Sequence, residues 1–200
     1  MDMDQSAKKR LELVIDLSWN LIFEKIVNET LFINKESSLQ LHLSKLIFDI
    51  GNTFCIYPTE FFDIEMETNY ENKSIDIVCS LGDTKAALEL KCFMKSSNRA
   101  KDLDCYDTLK DIERLQNYLG FDIKKFICLT DSKYYASTVQ RGHAASVSIR
   151  EGTKYYANTP VIPSWANKWK VNRDKPILFN ADVEFNWHNR NQWFCLNMSV

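Results

Sequence analysis

Two short stretches carry the side chains most able to do chemistry. Ile75-Asp76-Ile77-Val78 is followed, after a Leu81-Gly82-Asp83 turn, by Ala87-Leu88-Glu89-Leu90-Lys91-Cys92. Side chains on a strand alternate between faces. Leu88, Leu90 and Cys92 therefore share one face of the second strand, and Glu89 and Lys91 share the other. On the first strand Ile75, Ile77 and Cys79 take the apolar face and leave Asp76 opposite. If the two strands pair as a hairpin, Asp76, Glu89 and Lys91 converge on one polar face. Two carboxylates supply the hard oxygens that suit Mg²⁺ or Mn²⁺. Such an ion retains waters and can present one as a nucleophile to a phosphate ester, with a lysine beside it to orient the water and balance developing charge. The bland alternative is an exposed sheet face whose charges are simply solvated.

The elements that position these groups can be read from periodicity. Residues 1–50 contain neither glycine nor proline. A first helix is expected over Ser6–Thr30 and a second from Ser37, with Leu39, Leu43, Leu46, Ile47 and Ile50 as its stripe, serine at its start and Gly51 as its stop. Thr53–Tyr57 is β-prone, and Phe61–Glu67 alternates apolar and acidic residues. Strands are expected over Ser74–Ser80 and Thr84–Phe93, a polar loop over Lys95–Lys101, a helix over Asp102–Leu119 stopped by Gly120, and a buried strand over Lys125–Thr130. Beyond this the pattern weakens. Tyr134–Arg141 reads as helical, Val147–Tyr156 as a strand pair, residues 158–176 as a long excursion and residues 177–200 as two strands.

An Asp at the start of one strand, then Glu-x-Lys on the next, resembles the PD-(D/E)XK nuclease superfamily. The order helix-strand-strand-strand-helix-strand over residues 36–131 is similar to that family's core. Ile75 stands where the motif name has proline. The resemblance implies an α/β, restriction-endonuclease-like fold with a mixed central sheet. It also implies a metal-dependent endonuclease cutting phosphodiester bonds in nucleic acid, with DNA as the expected substrate. Asp76, Glu89 and Lys91 would be catalytic. Asp76, Glu89, the Leu90 carbonyl and Glu36 would hold the metal, with Glu29 in reserve. The rivals are a catalytically inactive nuclease-fold binding or assembly module and an RNA endonuclease. Gln116 and Tyr118 are only two residues apart, which does not fit the RecB-like subgroup.

Other features are weaker. Lys95, Arg99 and Lys101 follow the site and would contact phosphates, or form a solvated loop. Glu60, Asp63, Glu65 and Glu67 read as the wet side of an edge strand, with Glu65 an outside ligand candidate, and Lys85 shares the face of Lys91. Arg141-Gly-His143 reads as a surface loop. Trp165, Lys168, Trp169, Lys170, Arg173 and Lys175 suit either base stacking or buried anchoring. His188 to Trp193 is either base-reading or a polar turn.

Composition sets the frame. The 200 residues carry a net charge of −2, with 45% hydrophobic and 26% charged residues. This implies a globular chain and argues against non-specific nucleic-acid binding over the whole surface. The expected organisation is one domain: residues 1–35 as a helical extension, 36–131 as core and 132–200 as elaboration. Six scattered cysteines without CxxC spacing and three dispersed histidines read as buried free thiols rather than a zinc site. The N-terminus lacks a signal-peptide pattern and no apolar run would span a bilayer, so a cytoplasmic protein with no membrane partner is expected. Cutting both strands of a duplex calls for two sites, which points to a homodimer.

Overall fold

A computed structural model of the chain describes residues 3–71, 73–97, 100–166 and 173–200. The fold is α/β. Two helices, α1 (Met3–Val27) and α2 (Glu36–Thr53), precede three consecutive strands, β1 (Phe62–Tyr70), β2 (Lys73–Leu81) and β3 (Thr84–Phe93). Helix α3 (Lys101–Asn117) and strand β4 (Ile123–Thr130) follow. The remainder holds a four-residue helix, α4 (Lys133–Ala136), a 3-10 turn (Gly142–Val147), and short strands β5 (Lys154–Tyr155), β6 (Val183–Glu184), β7 (His188–Arg190) and β8 (Trp193–Ser199). Six strands form a mixed sheet in the order β1-β2-β3-β4-β8-β7, and β5 pairs with β6 separately.

The chain divides into two compact units. The first comprises residues 1–92, 119–127 and 199; the second comprises 93–118, 128–198 and 200. In the first unit α1 and α2 pack on one face of the β1-β2-β3 meander, where Ile75, Ile77, Cys79 and Leu81 are buried. Helix α2 contributes Leu39, Leu43 and Ile47 at four-residue spacing, one stripe of a 3.6-residue period. In the second unit Trp165, Phe179, Phe185 and Ile177 are buried, and Trp165 Nε1 donates to the Arg173 carbonyl at 2.7 Å. Tyr135 donates to the buried Asp104 carboxylate at 2.7 Å. All six cysteines are free, five of them buried. No helix among the described residues is long and apolar enough to cross a membrane.

Several local expectations need correction. Gly51 does not stop α2; it lies inside the helix and continues the Leu39-Leu43-Ile47 stripe. A β-carbon there would come within 2.4 Å of the Phe62 ring, so the glycine is kept for close approach of helix to strand. The helix starts after Lys35 with no side-chain cap, because its ends are held by packing rather than by serine. Thr53–Tyr57 forms the end of α2 and a turn, not a strand. Of Tyr134–Arg141 only a single helical turn forms, and Val147–Tyr156 yields one two-residue strand rather than a pair. Weakly periodic segments are placed by tertiary contacts, which override local propensity. Residues 168–170 of the expected aromatic-basic excursion lie outside the described residues. Trp165 in the same stretch is a buried anchor, and His188 to Trp193 forms the β7–β8 hairpin.

Gly51→Ala is expected to destabilise the protein by about 1–3 kcal/mol through overpacking against Phe62. Urea unfolding of both forms checks this, and an unchanged midpoint would contradict the close-approach role.

Candidate active site

The β2–β3 hairpin turns through Gly82-Asp83, with Gly82 at φ +58° in the left-handed region that a two-residue turn requires. From Leu81↔Thr84 the antiparallel register runs to Ile77↔Leu88. The β1–β2 register, through Met66↔Ile77 and Thr68↔Ile75, brings Glu67 to the level of Asp76. Glu89 and Lys91 lie two residues apart on β3, just beyond its last residues paired with β2.

Pairing of β2 with β3 ends at Ile77↔Leu88. Leu90 N–H, beyond the last paired residues, donates to the Asp76 carboxylate at 2.6 Å. Helix α2 supplies two more polar groups four residues apart, hence on one helix face. Glu36 Oε1 lies 3.9 Å from Lys91 Nζ. The Gln40 side-chain amide donates to Glu67 Oε1 at 2.8 Å and to the Asp76 carbonyl at 2.7 Å. Glu89 is only 1% exposed. Burial raises the Asp76 carboxyl to about 6; the Leu90 N–H and Lys91 oppose the rise, and Glu36 and Glu67 reinforce it.

The expected residues Asp76, Lys91 and Glu36 are therefore in electrostatic reach of one another, and Glu89 is buried on β3 just past the end of the β2–β3 pairing. Glu29 sits past the end of α1 and Glu65 hydrogen-bonds Thr68. Glu60 is spent on an ion pair with Arg10 that holds its carboxyl at about 2. Of the four acids around β1, Glu67 is the one beside Asp76. Gln40 was not foreseen; the signal was its four-residue offset from Glu36. Lys95 and Lys101 are exposed and belong to the second unit, where Lys101 Nζ lies 4.9 Å from the centre of the Tyr134 ring. Arg99 lies outside the described residues.

Among the described residues no group of three or more His, Cys, Asp or Glu side chains is gathered so as to hold a metal ion. The Glu67 carboxylate is engaged by Gln40. By chemistry the carboxylates of Asp76 and Glu89 and the Leu90 carbonyl are hard oxygen donors, the kind suited to a divalent ion that keeps several waters. This donor set does not fit a closed all-protein cage. Comparison with family models, curated proteins and solved structures gives no match, so the geometry alone bears on function.

The raised Asp76 carboxyl makes a pH-dependent stability prediction. An aspartate in the unfolded chain ionises near about 3.9. Folding therefore favours the protonated form, and stability falls as pH climbs from about 4 through about 6. The full penalty is on the order of 2–3 kcal/mol. Asp76→Asn retains an oxygen for Leu90 N–H and removes the charge. It is expected to be more stable than the parent at pH 8 and equal to it at pH 4, as read by thermal melts across that range. Parallel pH profiles for the two proteins would count against a desolvated carboxylate here.

Proposed function

We propose that this chain is a divalent-metal-dependent endonuclease with a restriction-endonuclease-like core, hydrolysing phosphodiester bonds in nucleic acid, with DNA as the favoured substrate. The observation that carries the reading is Asp76. A carboxylate is costly to bury without compensation, yet this one is largely buried within reach of two further carboxylates, Glu36 and Glu67, and of the Lys91 ammonium. Perturbed carboxyl groups of this kind cluster at functional sites. The element order around it is the order that the sequence resemblance implies.

In this reading Asp76 and Glu89 hold Mg²⁺ or Mn²⁺, joined by the Leu90 carbonyl. The bound ion would supply Lewis acidity and an activated water. Lys91, as an ammonium, offers hydrogen-bond donors to orient that water and a charge to offset the one that builds on the phosphate. Glu36 restrains Lys91 by its ion pair and is the further ligand of this reading. Strand-borne side chains backed by core keep these groups within the small tolerances that in-line attack demands.

Cleavage of plasmid, single-stranded DNA and RNA in Mg²⁺ and in Mn²⁺ tests the proposal and separates DNA from RNA as substrate. Glu89→Ala, its isosteric partner Glu89→Gln and Lys91→Ala are each expected to lower the rate at least about 100-fold, the scale seen when a key charge-stabilising group is removed. Cleavage that survives unchanged in these variants refutes the assignment. A folded parent with no cleavage and no carboxylate-dependent Mn²⁺ uptake would instead leave the binding or assembly reading.

A further inference from the structure

We propose that Gln40 and Glu67 brace Asp76, and that this brace sets how tightly the site takes up a divalent ion. The inference rests on the endonuclease reading and adds two positioning residues to it.

One amide group does the bracing. Gln40 Nε2 reaches the Glu67 carboxylate on β1 and the backbone carbonyl of Asp76 on β2, tying α2 to both strands at the level of Asp76. The second bond matters because pairing with β3 has ended by Asp76, and its carboxylate, not its backbone, meets Leu90. Gln40 therefore restrains the main chain from the helix side while Leu90 restrains the side chain from β3. Together they fix where the Asp76 oxygens stand.

Glu67 adds an independent sign. Its φ is +54°, the left-handed region that favours glycine, and it is in mid-strand. The other non-glycine residues with positive φ among the described ones, Glu29, Glu71, Asn158 and Asn191, lie outside helices and strands. A conformation that a glycine would adopt at lower cost is instead occupied by a glutamate whose carboxylate is held by Gln40. Strain of this kind persists where the surroundings over-determine it, and it concentrates at functional sites. In this conformation the Glu67 carboxylate accepts the Gln40 amide.

Calorimetric titration of the whole chain with MnCl₂, paired with melting curves in EDTA, tests the brace. Glu67→Gly releases the strain and removes the acceptor. It is expected to melt at or above the parent temperature in EDTA and to bind Mn²⁺ at least five-fold more weakly. Gln40→Leu is expected to weaken Mn²⁺ binding to a similar degree. Glu67→Gln keeps an oxygen for the Gln40 amide, so it is expected to bind Mn²⁺ within two-fold of the parent. Glu89-dependent uptake that is unchanged in Glu67→Gly and Gln40→Leu overturns the brace and leaves the site intact. A Glu67→Gln loss as large as that of Glu67→Gly overturns it by making Glu67 a direct ligand. No uptake by the parent overturns the brace and the metal site together.

Discussion

The contact on which the site depends is the hydrogen bond from Leu90 N–H to the Asp76 carboxylate. It satisfies a backbone donor that would otherwise be costly to leave unmade in a largely buried strand. It also fixes the Asp76 side chain at the point where β2 and β3 stop pairing. A side chain that does the work of a ladder carbonyl is pinned by the sheet itself. The burial that comes with that position raises the carboxyl well above its ordinary range. Position and perturbed acidity thus have one cause.

Helix α2 serves two purposes on adjoining stripes. Leu39, Leu43, Ile47 and Gly51 anchor it on the strands, with the glycine admitting the Phe62 ring. Glu36 and Gln40 use the neighbouring stripe to reach Lys91, Glu67 and the Asp76 peptide. The apolar stripe provides the binding free energy between helix and sheet, since burial is the dominant favourable term. The polar stripe contributes little of that energy and supplies direction. A shift of the apolar stripe by one residue would rotate the polar one by about 100° and break every one of these contacts.

What was legible in the sequence followed the strength of the periodic signal. The alternation in residues 74–93 and the Gly82-Asp83 turn were enough to read the β2–β3 hairpin and its register, because a hairpin register has few solutions when one face must be buried. Both N-terminal helices, α3 and β4 were readable for the same reason. The role of Gly51 was misread, because a stop and a close approach look alike without the ring that packs against it. Gln40 and Glu67 were passed over individually because they matter through partners on other elements, and no local pattern encodes a hydrogen bond between residues 27 apart in the chain. The segments after residue 131 were poorly read because they are short and held by contacts rather than by period.

Finally, the groups assigned to chemistry are confined to one hairpin, β2 and β3, closed by a two-residue turn. Closing so small a loop costs little entropy, and hairpins of this kind form within about 1–10 μs. The groups on β2 and β3 are therefore related by the most local kind of pairing in the sheet, whereas Glu36 and Gln40 reach Lys91 and Asp76 only across a much longer stretch of chain.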